Sequence, residues 1–104
     1  MRTQLNNVSV VTKSNVYFDG KCVSHAILCP DGSKKTIGVI FVSSLTFNTG
    51  APETMEIISG QCKVRPAGSK EWTSYQGGQQ FKVGANTSFE IETLETLDYV
   101  CHFG

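Results

Sequence analysis

A chain of 104 residues with nine basic and nine acidic side chains carries no formal net charge and suits one domain with one hydrophobic core. The charge balance argues against duplex nucleic acid, which selects a basic face, and no apolar run approaches the roughly 20 residues that a membrane-spanning helix needs. The opening MRTQLNNVSVVTKSN lacks the apolar centre of a signal peptide, so a cytoplasmic protein is expected, with free thiols at Cys22, Cys29, Cys62 and Cys101.

Residues 1–14 are polar and are expected to form an N-terminal arm or an edge strand, with residues 15–104 as the domain. Short runs rich in β-branched and aromatic residues then follow one another. Extended segments are predicted at Val16–Cys29, Thr36–Phe47, Thr54–Arg65, Trp72–Tyr75, Gln79–Val83, Ser88–Glu92 and Leu97–Phe103. Turn residues separate them: Pro30-Asp31-Gly32, Thr49-Gly50-Ala51-Pro52, Pro66-Ala67-Gly68, Gly77-Gly78 and Gly84-Ala85-Asn86. No window of helical length carries an uninterrupted apolar stripe. Ser88-Phe89-Glu90-Ile91-Glu92 alternates cleanly, with Phe89 and Ile91 on one face and the carboxylates on the other. Many short strands at close spacing predict an all-β antiparallel sandwich or barrel.

Two spacings refine this. Small barrels of the cupin type carry G-x5-H-x-H-x(3,4)-E-x6-G on one pair of strands and G-x5-P-x-G-x2-H on another. Here Glu53 precedes Gly60 by seven residues, and a four-residue gap places Thr46 and Asn48 at the two histidine positions. In the second half Gly78 is followed by Gly84, Asn86 and Phe89 where proline, glycine and histidine are usual. The frame resembles a single-domain cupin-type β-barrel, a double-stranded β-helix or jelly roll. Threonine, asparagine and phenylalanine do not replace three imidazoles around a transition metal, so no metal and no cofactor are expected. A metal-dependent variant would have to draw on the scattered His25, His102 and cysteines.

A closer resemblance covers about residues 14–104. Asn15-Val16-Tyr17-Phe18-Asp19-Gly20-Lys21, Ser43 to Phe47, Glu53-Thr54-Met55-Glu56-Ile57-Ile58-Ser59-Gly60, Gly78 to Val83 with Ser88-Phe89, and Tyr99-Val100-Cys101-His102-Phe103 stand in the order and spacing of the pyrimidine/purine nucleoside phosphorylases. The chain departs from that family's pattern at Gly84, Asn86 and Ser88. The resemblance implies a homodimer, no metal, and phosphorolysis of purine or pyrimidine nucleosides to the free base and ribose 1-phosphate. It implies nucleoside and inorganic phosphate as partners, with neither nucleic acid nor membrane.

That chemistry builds positive charge on the sugar, by analogy with glycoside hydrolysis. It needs a holder for phosphate, a grip on the ribose hydroxyls and a site for the base. Glu53 is the catalytic candidate, accepting ribose hydroxyls and stabilising developing charge. Lys21 is the first cation for phosphate, with N–H groups of the Gly50-Ala51 turn as further donors. Ser43, Thr46 and Asn48 offer hydrogen bonds to sugar or phosphate, and Phe89 and Tyr99 offer faces for any base. Plainer readings stand beside these. Lys21 is then a solvated strand lysine, Glu53 a solvent-facing carboxylate beside Pro52, Thr46 and Asn48 polar strand ends, and Phe89 and Tyr99 core. Glu56 reads as surface. His102 alternates away from Tyr99 and Cys101, and neither it nor His25 forms a cysteine–histidine couple. The alternative to an enzyme is a non-catalytic cupin-like protein that binds a small ligand in the same pocket.

Overall fold

The computed structural model describes residues 4–104 as two antiparallel β-sheets laid face to face. The strands are β1 (Ser9–Val10), β2 (Asn15–Tyr17), β3 (Cys22–Leu28), β4 (Lys34–Ile40), β5 (Ser44–Asn48), β6 (Glu53–Ser59), β7 (Gln61–Pro66), β8 (Thr73–Gln76), β9 (Gln80–Val83), β10 (Ser88–Thr93) and β11 (Leu97–Phe103). The larger sheet runs β1-β3-β4-β11-β6-β9, with β2 also paired to β3, and the smaller runs β5-β10-β7-β8. From β4 onward the chain alternates between the sheets except at the β7–β8 hairpin, so each sheet pairs strands distant in sequence. No α-helix forms among the described residues, and none of their segments is a helix long and apolar enough to cross a membrane.

Three of the predicted long strands are each divided in two. The run from Val16 is interrupted by a single 3-10 turn, Phe18–Gly20, where Phe18, Asp19 and Gly20 all take positive φ. The run from Thr36 breaks at Phe41–Ser43, where the chain leaves β4 in one sheet for β5 in the other. The run from Thr54 breaks at Gly60, between β6 and β7. Gly60 has φ +97°, and a Cβ there would stand 2.4 Å from the Thr96 carbonyl oxygen, so only glycine fits this crossing.

Alternation delivers the core. Phe89, Ile91 and Thr93 of β10 are buried, while Glu90 and Glu92 meet Arg65 (2.6 Å) and Lys63 (3.6 Å) of β7 on the outside. Trp72 lies against the same two cations, 4.7 Å from Arg65 Cζ and 5.1 Å from Lys63 Nζ. Ile40, Ile57, Leu97 and Cys22 are fully buried between the sheets. All four cysteines are free thiols, three of them buried.

Candidate active site

Toward one end the sheets separate around a cavity of about 390 Å³, within the range of small-molecule sites. Its two sides differ in chemistry. The larger sheet contributes Tyr17 (β2), Ser24 (β3), Thr36 (β4), Glu53 and Met55 (β6), and Tyr99, Cys101 and Phe103 (β11). The smaller sheet contributes Thr46, Phe47 and Asn48 (β5) and Phe89 (β10), and the 3-10 turn contributes Phe18. Phe47 stacks on Phe89 with centroids 5.6 Å apart and 18° between planes, and Phe18 stands edge-on to Phe47 at 5.2 Å. The buried and half-buried polar groups Ser24, Thr36, Glu53 and Cys101 therefore sit on the larger sheet, and the packed phenylalanines face them from the other side.

Strand register assembles the polar face. Tyr99 lies opposite Gly38, which lies opposite Ser24; one row on, Cys101 lies opposite Thr36, and Glu53 pairs with Phe103. Gly38 makes room for this. A Cβ on it would stand 2.6 Å from the Val23 carbonyl oxygen and 2.9 Å from the Tyr99 hydroxyl. Tyr99 is 5% exposed, and its hydroxyl is 3.5 Å from Cys22 Sγ and bonded also to Ser24. Cys101 Sγ donates to Glu53 Oε1 at 3.5 Å and meets the Thr36 hydroxyl.

These groups share one electrostatic setting. Burial pushes the Glu53 carboxyl above the ordinary carboxylate range, and the Cys101 thiol offsets part of that. Burial likewise raises Cys101 strongly, reinforced by the neighbouring Glu53 charge, so the thiol stays protonated. Burial raises Tyr99 and Cys22 as well. Glu53 is thus a half-buried carboxyl beside a protonated thiol and hydroxyls, and among the described residues it is the one carboxyl lining the cavity.

A family model for pyrimidine/purine nucleoside phosphorylase matches residues 12–103. The chain belongs to the pyrimidine/purine nucleoside phosphorylase family. A protein of that name from Herminiimonas arsenicoxydans is 66% identical over 103 residues, 99% of each chain. One from Cupriavidus necator is 66% identical over 101 residues, covering 97% of this chain and 96% of that protein. Among solved structures, a protein of unknown function from an Acinetobacter species shares 52% identity with a TM-score of 0.95, covering 97% of this chain and 98% of its own. More distant solved structures share the fold, among them the Clostridium difficile EutQ protein, with a TM-score of 0.66 at 8% identity over 79% of this chain and 67% of that one.

The cavity gathers Glu53, Thr46, Asn48, Phe89 and Tyr99 of the residues singled out in the sequence. Lys21 and Ser43 are not part of its lining. Lys21 is exposed just after the turn that bears Phe18, and the Ser43 hydroxyl donates to the Phe41 carbonyl oxygen at 2.6 Å. Thr46 and Asn48 are exposed and sit at the margin. The interior positions along this stretch belong to Leu45, Phe47 and Thr49. A three-residue gap before Glu53, the other spacing the cupin frame permits, sets Phe47 and Thr49 rather than Thr46 and Asn48 at the histidine positions. Thr49 is buried, donates to the Gly84 carbonyl oxygen at 2.7 Å and accepts from the Thr87 amide at 3.1 Å.

Ser24, Thr36, Phe47 and Cys101 are among the lining residues that sequence reasoning passed over as site candidates, with Tyr17, Phe18, Met55 and Phe103. Parity with Tyr99 carries Cys101 to the same face. Ser24 and Thr36 become visible only through the β3–β4–β11 register, which no local pattern states. Glu56 is not a simple surface residue: its carboxylate accepts from His102 Nε2 at 2.9 Å, both side chains being partly buried. Among the described residues no group of three or more His, Cys, Asp or Glu is arranged to hold a metal ion.

Proposed function

We propose that this chain is a broad-specificity nucleoside phosphorylase. In that reaction a purine or pyrimidine nucleoside and phosphate give the free base and ribose 1-phosphate, without a metal or cofactor. Family membership and the two-faced cavity support the reading. The base lies against Phe18, Phe47 and Phe89, where stacking needs no hydrogen-bond code and so tolerates different bases. The ribose hydroxyls face Thr36 and Ser24, with Glu53 beside them and within reach of the base. Hydroxyl and amide donors, with Thr46 and Asn48 at the margin, meet phosphate. Lys21, beside the Phe18 turn, draws the anion toward this opening. Ser43 joins substrate binding only by releasing Phe41.

The same reading takes the strand crossings between the sheets as the double-stranded β-helix of a cupin barrel. It takes the protein as a cytoplasmic homodimer, independent of nucleic acid and membrane. Exposed apolar side chains along the β1–β3 edge, among them Val10, Val16 and Leu28, support subunit pairing.

Incubating chelator-treated protein with uridine and with inosine, with and without phosphate, tests the reading. Phosphate-dependent release of both bases is expected. Release without phosphate would make the protein a hydrolase, and binding without release would make it the ligand-binding alternative.

A further inference from the structure

Departure of a nucleobase leaves an electron pair on a ring nitrogen, and that charge must be met by a proton unless the base is already cationic. Among the described residues, the cavity lining offers no lysine, arginine or histidine to supply one. It offers Tyr17, Tyr99, Cys101 and Glu53 as titratable groups. Tyr99 is turned to Cys22 and Ser24, and Cys101 to Glu53. β9 places apolar Val83 opposite Glu53, β5 and β10 bring only Thr46, Phe47, Asn48 and Phe89, and the turn brings Phe18. Nothing cationic in this lining holds Glu53 as a carboxylate.

We propose that Glu53 is the acid that protonates the departing base, and that Cys101 is the positioning residue that directs its proton. The proposal rests on the phosphorylase reading and deepens it. The thiol donates to Oε1, which makes Oε1 the accepting oxygen of the acid form and puts the proton on Oε2. The hydrogen bond to the Glu53 carboxyl among the described residues goes to Oε1, and Oε2 is not a buried orphan, so Oε2 is open to substrate. As the C1′–N bond breaks, its electron pair passes to the base, and the Oε2 proton passes to a ring nitrogen or carbonyl oxygen of that base. An oxygen of hydrogen phosphate forms the new bond to C1′. The proton that hydrogen phosphate loses restores Glu53 to its acid form. A neutral Glu53 also leaves the phosphate dianion unopposed in a cavity whose lining lacks a cation. Burial favours this acid form, as the upward displacement of the Glu53 carboxyl indicates.

The test compares guanosine with 7-methylguanosine, whose cationic base leaves without an added proton, in mildly acidic buffer. Glu53→Gln should slow guanosine phosphorolysis by about 10²–10⁴-fold and slow 7-methylguanosine by less than about tenfold. Equal losses on the two substrates would overturn the proton-donor role while leaving the phosphorylase reading intact. A wild-type protein inert toward both nucleosides, with and without phosphate, would overturn both. Cys101 gives a second readout that survives if Glu53→Gln fails to fold. In the pH dependence of kcat for guanosine, the alkaline limb should move to higher pH in Cys101→Ala, which loses a donor to the carboxylate. It should move to lower pH in Cys101→Ser, a stronger donor. A limb that stays in place in both variants, whatever their rates, would overturn the positioning role.

Discussion

Glu53 bears a cost in the fold that its chemistry turns to use. Burial raises its carboxyl in the folded state, so the folded form favours the acid. Its stabilising effect is complete below the ordinary carboxylate range and is lost as pH rises through the folded value. Glu53→Gln should therefore melt higher than the wild type at neutral pH, and the gap should close on acidification through the carboxylate range. Thermal melts across pH measure this, and a variant that melts lower at neutral pH would contradict it. Gly38 acts at the same scale. The methyl of Gly38→Ala would collide with rigid backbone at Val23 and with the Tyr99 hydroxyl. We expect a loss of about 1–3 kcal/mol in denaturant unfolding, together with weaker nucleoside binding as Tyr99 shifts; an unchanged unfolding midpoint would contradict the close approach. Neither feature is legible in the sequence. Glu53 can be found there through its spacing to Gly60, but its environment depends on Cys101 and Thr36, which reach it only through long-range pairing.

At the scale of elements, β5 shows how far alternation carries and where it stops. Period two assigns Thr46 and Asn48 to one face and Leu45 and Phe47 to the other, but it does not say which face is inside. Burial decides: Leu45 is buried, Phe47 is packed against the core, and Thr46 and Asn48 remain exposed. Phe47→Ala should cost about 2–4 kcal/mol and Thr46→Ala less than about 0.5 kcal/mol, both read by denaturant unfolding. Comparable losses would contradict the assigned faces. Thr49→Val, which removes the bonds to Gly84 and Thr87, should cost about 1–3 kcal/mol. β10 was legible outright, because Phe89 and Ile91 alternate with carboxylates that find Arg65 and Lys63 outside. The breaks at Phe41–Ser43 and Gly60 were not. There the chain changes sheets without a strong local turn signal, and the reason for the Gly60 break lies with Thr96, far along the sequence.

Across the whole molecule, the two sheets serve different ends. The larger sheet brings the buried and half-buried polar groups Ser24, Thr36, Glu53 and Cys101 to the cavity, together with Tyr17, Met55, Tyr99 and Phe103, and the smaller sheet with the Phe18 turn brings the phenylalanine rings, with Thr46 and Asn48 beside them. That division matches a nucleoside, which has a polar sugar and a flat base. The all-β class followed directly from strand periodicity and turn residues. The cavity did not, because its members come from seven strands and a turn joined by pairing across most of the chain. The most direct measurement is ³¹P NMR of chelator-treated protein supplied with uridine or inosine and hydrogen phosphate. The account predicts ribose 1-phosphate from both nucleosides, formed at least about a hundredfold more slowly by Glu53→Gln. No ribose 1-phosphate from either nucleoside, or equal rates in the wild type and the variant, would contradict it.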